Sequence, residues 1–341
     1  MRQKIATCDT GMTHSKNTDE KLSIIIPNFN HSHLLKETVR THINQTYRPI
    51  EIIIVDDLST DDSVSIIKSI AAEHPEVRLL QRNARGGPNA AINTGLSEAK
   101  GDFVCFCGAD DFVETKFAEH SITLLKLYPD AAFCFLHSAA RDVQTNIVVD
   151  IPLALSDRPT YFSPDDFAQL FARNTFSISS NTVVYRRPAI ASIGGFPVDL
   201  EWQADWFSIL ALGFRHGACY CPETLACFTV NPKSYGNAGV KFSRGQKRLL
   251  FVFLKKLDES FQDISPRFRA AAVSPERRLR TLIWLATDRR GRRYISWRLV
   301  RRLIASEAWT WLRPITPIST RRFMRRLAGQ FTLRQKQHLE N

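Results

Sequence analysis

The sequence predicts an α/β fold: a mostly parallel sheet flanked by helices, followed by a basic helical C-terminal extension. Three observations carry this expectation. Short β-branched runs alternate with helical patterns through the first 135 residues, the first two runs are almost wholly apolar, and Lys and Arg accumulate beyond residue 240. Alternating strand and helix implies parallel strands joined by right-handed crossovers, a Rossmann-like layer.

Residues 22–27, 50–55, 77–80, 103–107 and 131–135 read as strands. The first two lack polar alternation, as strands buried on both faces do. Between them Leu34, Leu35, Val39 and Ile43 recur at helical spacing. Val64, Ile67 and Ala71 do the same, as do Ile92, Leu96 and Ala99, and Pro88 suits the first turn of that third helix. No G-x-G-x-x-G turn follows a strand, which argues against a nicotinamide or flavin site. From 152 to 239, Pro159, Pro164, Pro188, Pro197, Pro222 and Pro232 predict short, irregular pieces. Beyond Phe242 the pattern is helical, with Trp284, Trp297, Trp309 and Trp311 spread among arginines. The expected organisation is a polar segment 1–20, an α/β domain 21–239 with halves 21–135 and 136–239, and a basic helical region 240–341.

The 341 residues are 44% apolar, enough for a large core. The N-terminal twenty residues have no apolar stretch of the secretory kind, and no run is long enough to span a bilayer. Seven cysteines, an odd number scattered over the chain, fit a reducing compartment, so a cytoplasmic location is expected. The net charge of +12 is uneven: residues 240–341 hold 25 Lys+Arg against 7 Asp+Glu, leaving 21 against 27 in the rest. An acidic globular part with a basic tail predicts a polyanionic partner for the tail, a membrane surface or a nucleic acid.

In an open parallel sheet, ligands bind beyond the carboxyl ends of the strands. Asn28 and Asn30 follow the first predicted strand, Asp56 and Asp57 the second, and Asp110 and Asp111 the fourth. Each alone could be a turn or cap residue. Together they gather carboxylates on one sheet edge, where like charges repel unless a cation separates them. Mg²⁺ or Mn²⁺ would suit, taking one or two carboxylates and completing its shell with diphosphate oxygens and water.

Three segments then show a specific likeness. Ser23-Ile24-Ile25-Ile26-Pro27-Asn28-Phe29-Asn30, Ile54-Val55-Asp56-Asp57-Leu58-Ser59-Thr60-Asp61 and Gly108-Ala109-Asp110-Asp111 resemble, in order and spacing, the successive signatures of family 2 glycosyltransferases. A weaker likeness continues through Gly194-Gly195-Phe196, Ala204-Asp205 and Pro222-Glu223. The resemblance implies a GT-A fold and metal-dependent, inverting, non-processive transfer from a nucleotide-diphosphate sugar, a UDP-sugar first, to a glycan or lipid-linked acceptor in cell-surface synthesis. It implies that Pro27, Asn28 and Asn30 line the nucleotide pocket, with Asp57 on the base, Asp110 near the ribose, and Asn93 among the donor contacts. It implies Asp111 as ligand to Mn²⁺ or Mg²⁺, and Asp205 as the general base that takes the acceptor's proton. Departures from the pattern are Leu58 for Gly, Gly108 and Ala204 for acidic residues, and Phe228-Thr229 for a Tyr-Arg pair.

Other residues have plainer expectations. Cys105, Cys107, Cys219 and Cys221 read as core side chains rather than metal ligands. His31 and His33 suit a cap or surface role or a phosphate contact, and Trp202 and Trp206, bracketing Asp205, suit either an acceptor sugar or core packing. Glu201 is the next candidate base. A rival reading makes the chain a nucleic-acid-binding or scaffold protein with a degenerate enzyme domain; the acidic edge argues against a nucleic-acid ligand.

Overall fold

The computed structural model describes residues 20–143, 145–173, 176–230, 243–274 and 278–312. Its N-terminal half holds β1 (Leu22–Asn28), α1 (Ser32–Ile43), β2 (Ile50–Asp56), α2 (Ser63–Glu73), β3 (Val77–Gln81), α3 (Pro88–Glu98) and β4 (Phe103–Phe106). Strands pair in the order β3-β2-β1-β4, all parallel. The expected βα alternation therefore holds, and β1 and β2 are buried along nearly their whole length, as their apolar sequences require. The register sets Asn28 beside Asp56 at the strand ends, so two of the motifs meet through backbone pairing alone.

Beyond β4 come β5 (Phe112–Val113), α4 (Phe117–Leu127), β6 (Phe133–Asp142), β7 (Val148–Ile151), β8 (Thr160–Phe162), α5 (Pro164–Arg173), β9 (Val183–Arg186), α6 (Arg187–Ser192), α7 (Ala204–His216) and β10 (Ala218–Val230). They extend the same sheet in the order β4-β9-β6-β10-β5, with β9 antiparallel to both neighbours. The region 152–239 is more regular than its prolines suggest. Pro164 opens α5 and Pro188 lies in the first turn of α6, where no amide donor is needed. Pro222 sits inside β10, where the ladder slips between Cys221 and Thr224 and a missing N–H is tolerated.

The C-terminal helices α8 (Ser243–Glu259), α9 (Ser265–Ala271), α10 (Arg280–Thr287) and α11 (Trp297–Leu312) are joined to this core. Phe253 and Phe268 pack against Phe207 on α7, and Phe268 meets Phe214 edge-on at 4.7 Å. Leu250, Leu257, Ile264, Leu285, Leu299 and Leu303 belong to the apolar cluster shared with α5, α7 and β6. Each fully buried side chain of this kind contributes about 1.5–3 kcal/mol, so these helices are structural support for the sheet. Among the described residues no helix is long and apolar enough to cross a membrane.

Candidate active site

Three loops meet at the carboxyl end of the parallel strands. Asn28 Nδ2 donates to Asp56 Oδ1 at 2.9 Å and to Ser59 Oγ at 3.1 Å. Its Oδ1 is buried with no partner among the described residues. Pro27 is partly exposed beside it. Asn30 has φ +57, a left-handed conformation that Asn tolerates, and its Oδ1 accepts the Thr60 amide at 2.8 Å. Asp61 fixes the same corner, accepting the amides of Ser32 and Ser63 at 3.0 Å each and so tying the starts of α1 and α2 together. These hydrogen bonds hold its carboxyl well below the usual range despite the cost of desolvation.

Asp57 is engaged on both oxygens. Arg82 Nη1 lies 2.5 Å from Oδ1, and the amides of Gly86 and Gly87 donate at 3.0 and 2.7 Å. Gly87 has φ +80, which favours glycine, and leads directly into Pro88 of α3. Asp57 thereby anchors the loop after β3, whose Arg85 guanidinium stacks 3.7 Å from the Phe29 ring centroid. Asn93, expected among donor contacts, instead spends both amide atoms within the protein. Its Oδ1 accepts the Phe196 amide at 2.9 Å and its Nδ2 donates to the Phe196 carbonyl at 2.8 Å. It is a brace for the Gly194-Gly195-Phe196 turn; a Cβ at Gly195 would fall 2.3 Å from Asn93 Oδ1.

Asp110 and Asp111 converge. A Cβ at Gly108 would lie 2.8 Å from Asp110 Oδ1 and 3.1 Å from Asp111 Oδ2, so both carboxylates face the space beside Gly108. Burial and then the neighbouring Asp110 push the Asp111 carboxyl above its usual range; burial does the same to Asp110, opposed by His31 and His33. Two carboxylates held together and partly desolvated are the arrangement a hard divalent cation relieves, and the donor set is all oxygen, so Mn²⁺ or Mg²⁺ fits. Thr229 latches the pair from β10: its amide donates to Asp111 Oδ1 at 3.2 Å, and its hydroxyl donates to the Asp110 carbonyl.

Asp205 lies in the first turn of α7, where its Oδ1 accepts the Trp206 amide at 2.7 Å. Desolvation outweighs that bond and pushes its carboxyl up to about 6. Its charge also raises the buried Tyr185 hydroxyl on β9, after burial itself. Glu201, the other candidate base, is held in an ion pair with Arg248 and has φ +49, a strained conformation for a residue with a side chain. Trp206 stacks on Phe253 of α8 at 5.7 Å and packs against the apolar cluster shared by the sheet and the helices. Of the cysteines expected in the core, Cys105, Cys107, Cys219 and Cys221 are all buried, and burial raises their thiols. Sequence reasoning missed Arg82, Arg85 and Thr229. The first two were findable, because they follow β3 as the acids follow the other strands.

This sheet and its loops define a GT-A type α/β fold, and residues 23–193 match the profile of glycosyl transferase family 2. The chain belongs to that family. It is 29% identical over 199 residues to UDP-Glc:alpha-D-GlcNAc-diphosphoundecaprenol beta-1,3-glucosyltransferase WfaP of Escherichia coli, covering 58% of this chain and 72% of that one. Other curated relatives match over shorter stretches, and the alignments span between 14% and 48% of their length. Among solved structures, S. aureus TarS 1-349 in complex with UDP-GlcNAc superposes with a TM-score of 0.60 at 16% identity, covering 74% of this chain and 70% of that one. The mannosyltransferase PcManGT from Pyrobaculum calidifontis, in complex with GDP-Man and Mn²⁺, gives 0.53 at 18% identity, covering 84% and 86%. Both structural likenesses are to the fold.

Proposed function

We propose that this chain transfers a sugar from a nucleotide-diphosphate donor to an acceptor hydroxyl with inversion. The observation that carries the reading is the converging, desolvated Asp110–Asp111 pair at the sheet's carboxyl edge. Asp111, helped by Asp110, would hold Mn²⁺ or Mg²⁺, which when bound neutralises the diphosphate and stabilises it as leaving group. The buried Oδ1 of Asn28, with Pro27 and Asn30, lines the nucleotide side. Asp57 acts on the base side through the loop it anchors, and Arg85, stacked on Phe29, brings positive charge to the same rim. Asp205 takes the acceptor proton as the hydroxyl attacks the anomeric carbon; a carboxyl near 6 is ionised at neutral pH and more basic than an exposed one. A UDP-sugar donor and a lipid-linked acceptor are the reading that the names of TarS's ligand and WfaP's substrate support.

The acceptor reading extends to location. The exposed side of the C-terminal helices carries Ile283, Ile295, Trp297 and Ile304 beside Arg289, Arg292, Arg293, Arg298 and Arg301. Such a mixture suits the inner face of an anionic membrane. For the chemistry itself, calorimetry with UDP-sugars and Mn²⁺ is the test. Asp111→Ala should abolish metal-dependent donor binding and transfer while leaving the unfolding transition cooperative. Unchanged metal-dependent affinity would refute the assignment.

A further inference from the structure

Away from the acid pair, three side chains of unlike ligand chemistry converge where α4 meets the irregular stretch of β10. His120 on α4, with Cys221 and Glu223 on β10, each place one ligand atom within 4.8 Å of the other two. His120 Nδ1 lies 3.0 Å from Glu223 Oε1, and Cys221 Sγ lies 3.6 Å from the same oxygen. Cys221 is buried, whereas the His120 and Glu223 side chains are 30% and 44% exposed, so the cluster has a closed floor and an open mouth. Cys221 and Glu223 stand two residues apart on β10, the spacing that places side chains on one face of a strand, and the ladder to β6 slips between Cys221 and Thr224.

We propose that His120, Cys221 and Glu223 form a second metal site, for a borderline-soft divalent cation of the Zn²⁺ class. A tetrahedral ion with bonds of about 2.0 Å to nitrogen and oxygen and about 2.3 Å to sulfur sets N···O near ~3.3 Å and S···O near ~3.5 Å. The two separations to Glu223 Oε1 differ from these by a few tenths of an ångström, within reach of side-chain adjustment, and the His120 and Cys221 ligand atoms lie within 4.8 Å of each other. Thiolate and imidazole select Zn²⁺ or Co²⁺, whereas the all-oxygen Asp110–Asp111 pair suits Mg²⁺ or Mn²⁺, so the two sites sort ions by ligand type. On binding, the Cys221 S–H bond breaks, its proton leaves to solvent, and the sulfur electron pair forms the bond to the metal. His120 Nδ1 and Glu223 Oε1 supply lone pairs, and water takes the fourth position.

The location gives the site a purpose. α4 follows β5, and β5 follows Asp110–Asp111 directly, while β10 carries Thr229, which latches that pair. An ion joining α4 to β10 therefore closes a ring around the acid pair and fixes the two elements that hold it. Without metal, the His120–Glu223 contact is a single part-exposed hydrogen bond, and such contacts contribute little.

The test uses the full chain, reduced and stripped of metal, titrated with Co²⁺ and then Zn²⁺. One equivalent of Co²⁺ should give thiolate-to-cobalt charge-transfer absorption that Zn²⁺ removes. Cys221→Ser should abolish the absorption. His120→Ala, at a part-exposed position outside the core, should weaken Co²⁺ binding at least 10-fold. Asp111→Asn should leave both readouts unchanged, which separates this site from the donor site and makes the result independent of any sugar transfer. Absence of the absorption in the full chain, or wild-type binding in His120→Ala, overturns the proposal.

Discussion

Asp205→Asn tests the general base in two independent ways. The desolvated site raises the Asp205 carboxyl from 3.8 to about 6. Each unit of such a shift is about 1.4 kcal/mol, so ionising Asp205 costs the folded state up to ~3 kcal/mol, and about 1–3 kcal/mol once its partial solvent contact is allowed for. Because the folded-state value is raised, the native protein binds more protons than the unfolded chain between about pH 4 and pH 6. Stability therefore falls as pH rises through that window, and the penalty is complete above it. Asparagine keeps the shape and can still accept the Trp206 amide, but it carries no charge. The variant should be more stable than wild type at pH 8 by about 1–3 kcal/mol, and equal to it near pH 4. Transfer should fall at least ~10²-fold, with donor affinity unchanged. Wild-type turnover should rise with pH through about 6, and the variant's residual rate should lack that rise. Thermal unfolding at both pH values and transfer of a labelled donor read these outcomes. Near-wild-type turnover, or no gain in stability at pH 8, would refute the reasoning.

Thr229→Val keeps the side-chain shape and the amide bond to Asp111 but deletes the hydroxyl that holds the Asp110 carbonyl. A lost buried hydrogen bond costs about 1–3 kcal/mol; part should appear as roughly 10-fold weaker metal-dependent donor binding by calorimetry, and wild-type affinity would remove Thr229 from the site. Leu58 holds φ +64 with its side chain 44% exposed, where the motif usually carries glycine. Relief of the left-handed strain exceeds the entropy that glycine adds to the unfolded chain, so Leu58→Gly should stabilise by about 0.5–1 kcal/mol. A denaturant midpoint at or below wild type would contradict this.

The parts of the fold legible in the sequence are those whose side-chain period matches their burial. β1 and β2 are continuous apolar runs and α1 to α3 carry clean helical spacing, so their positions follow from the residues. β6 runs on to Asp142, past the predicted end at 135, because His137-Ser138-Ala139-Ala140 offers no alternation and is held by neighbouring strands instead. In the site, the residues after β1, β2 and β4 were visible because one rule finds them all. Asn93 was visible as polar but not as a brace, since its partner Phe196 lies 103 residues away. Thr229 reaches Asp111 across 118 residues, and no local pattern records that closure. His120 and Cys221 likewise meet only because α4 packs on β10.

The basic C-terminal region shows why its partner must be tested by substitution. Sequence reading set it apart at residue 240, yet Phe253, Phe268, Leu299 and Leu303 are buried in the shared core, and Arg302 donates to the carbonyls of Phe171 and Ala271. Removing the helices would expose Phe207 and Phe214, and loss of vesicle binding would then report unfolding. The outward side is separable from that support. Trp297 is 72% exposed and Ile283 66%, and along α11 Trp297, Arg301 and Ile304 recur at helical spacing opposite the buried Leu299 and Leu303. Basic residues near an anionic surface contribute about 1 kcal/mol each, and that attraction is screened by salt. The full chain should therefore sediment with anionic vesicles at low salt and remain free of neutral ones. Changing Arg289, Arg293 and Arg301 to Gln should cost roughly 3 kcal/mol if all three reach the surface, about 10²-fold in partitioning. Trp297→Ala should weaken binding without altering its salt dependence, because its contribution is apolar. Equal sedimentation of the triple variant and wild type would exclude this face, and preferential binding of wild type to duplex DNA over vesicles would assign the charge to a nucleic acid instead.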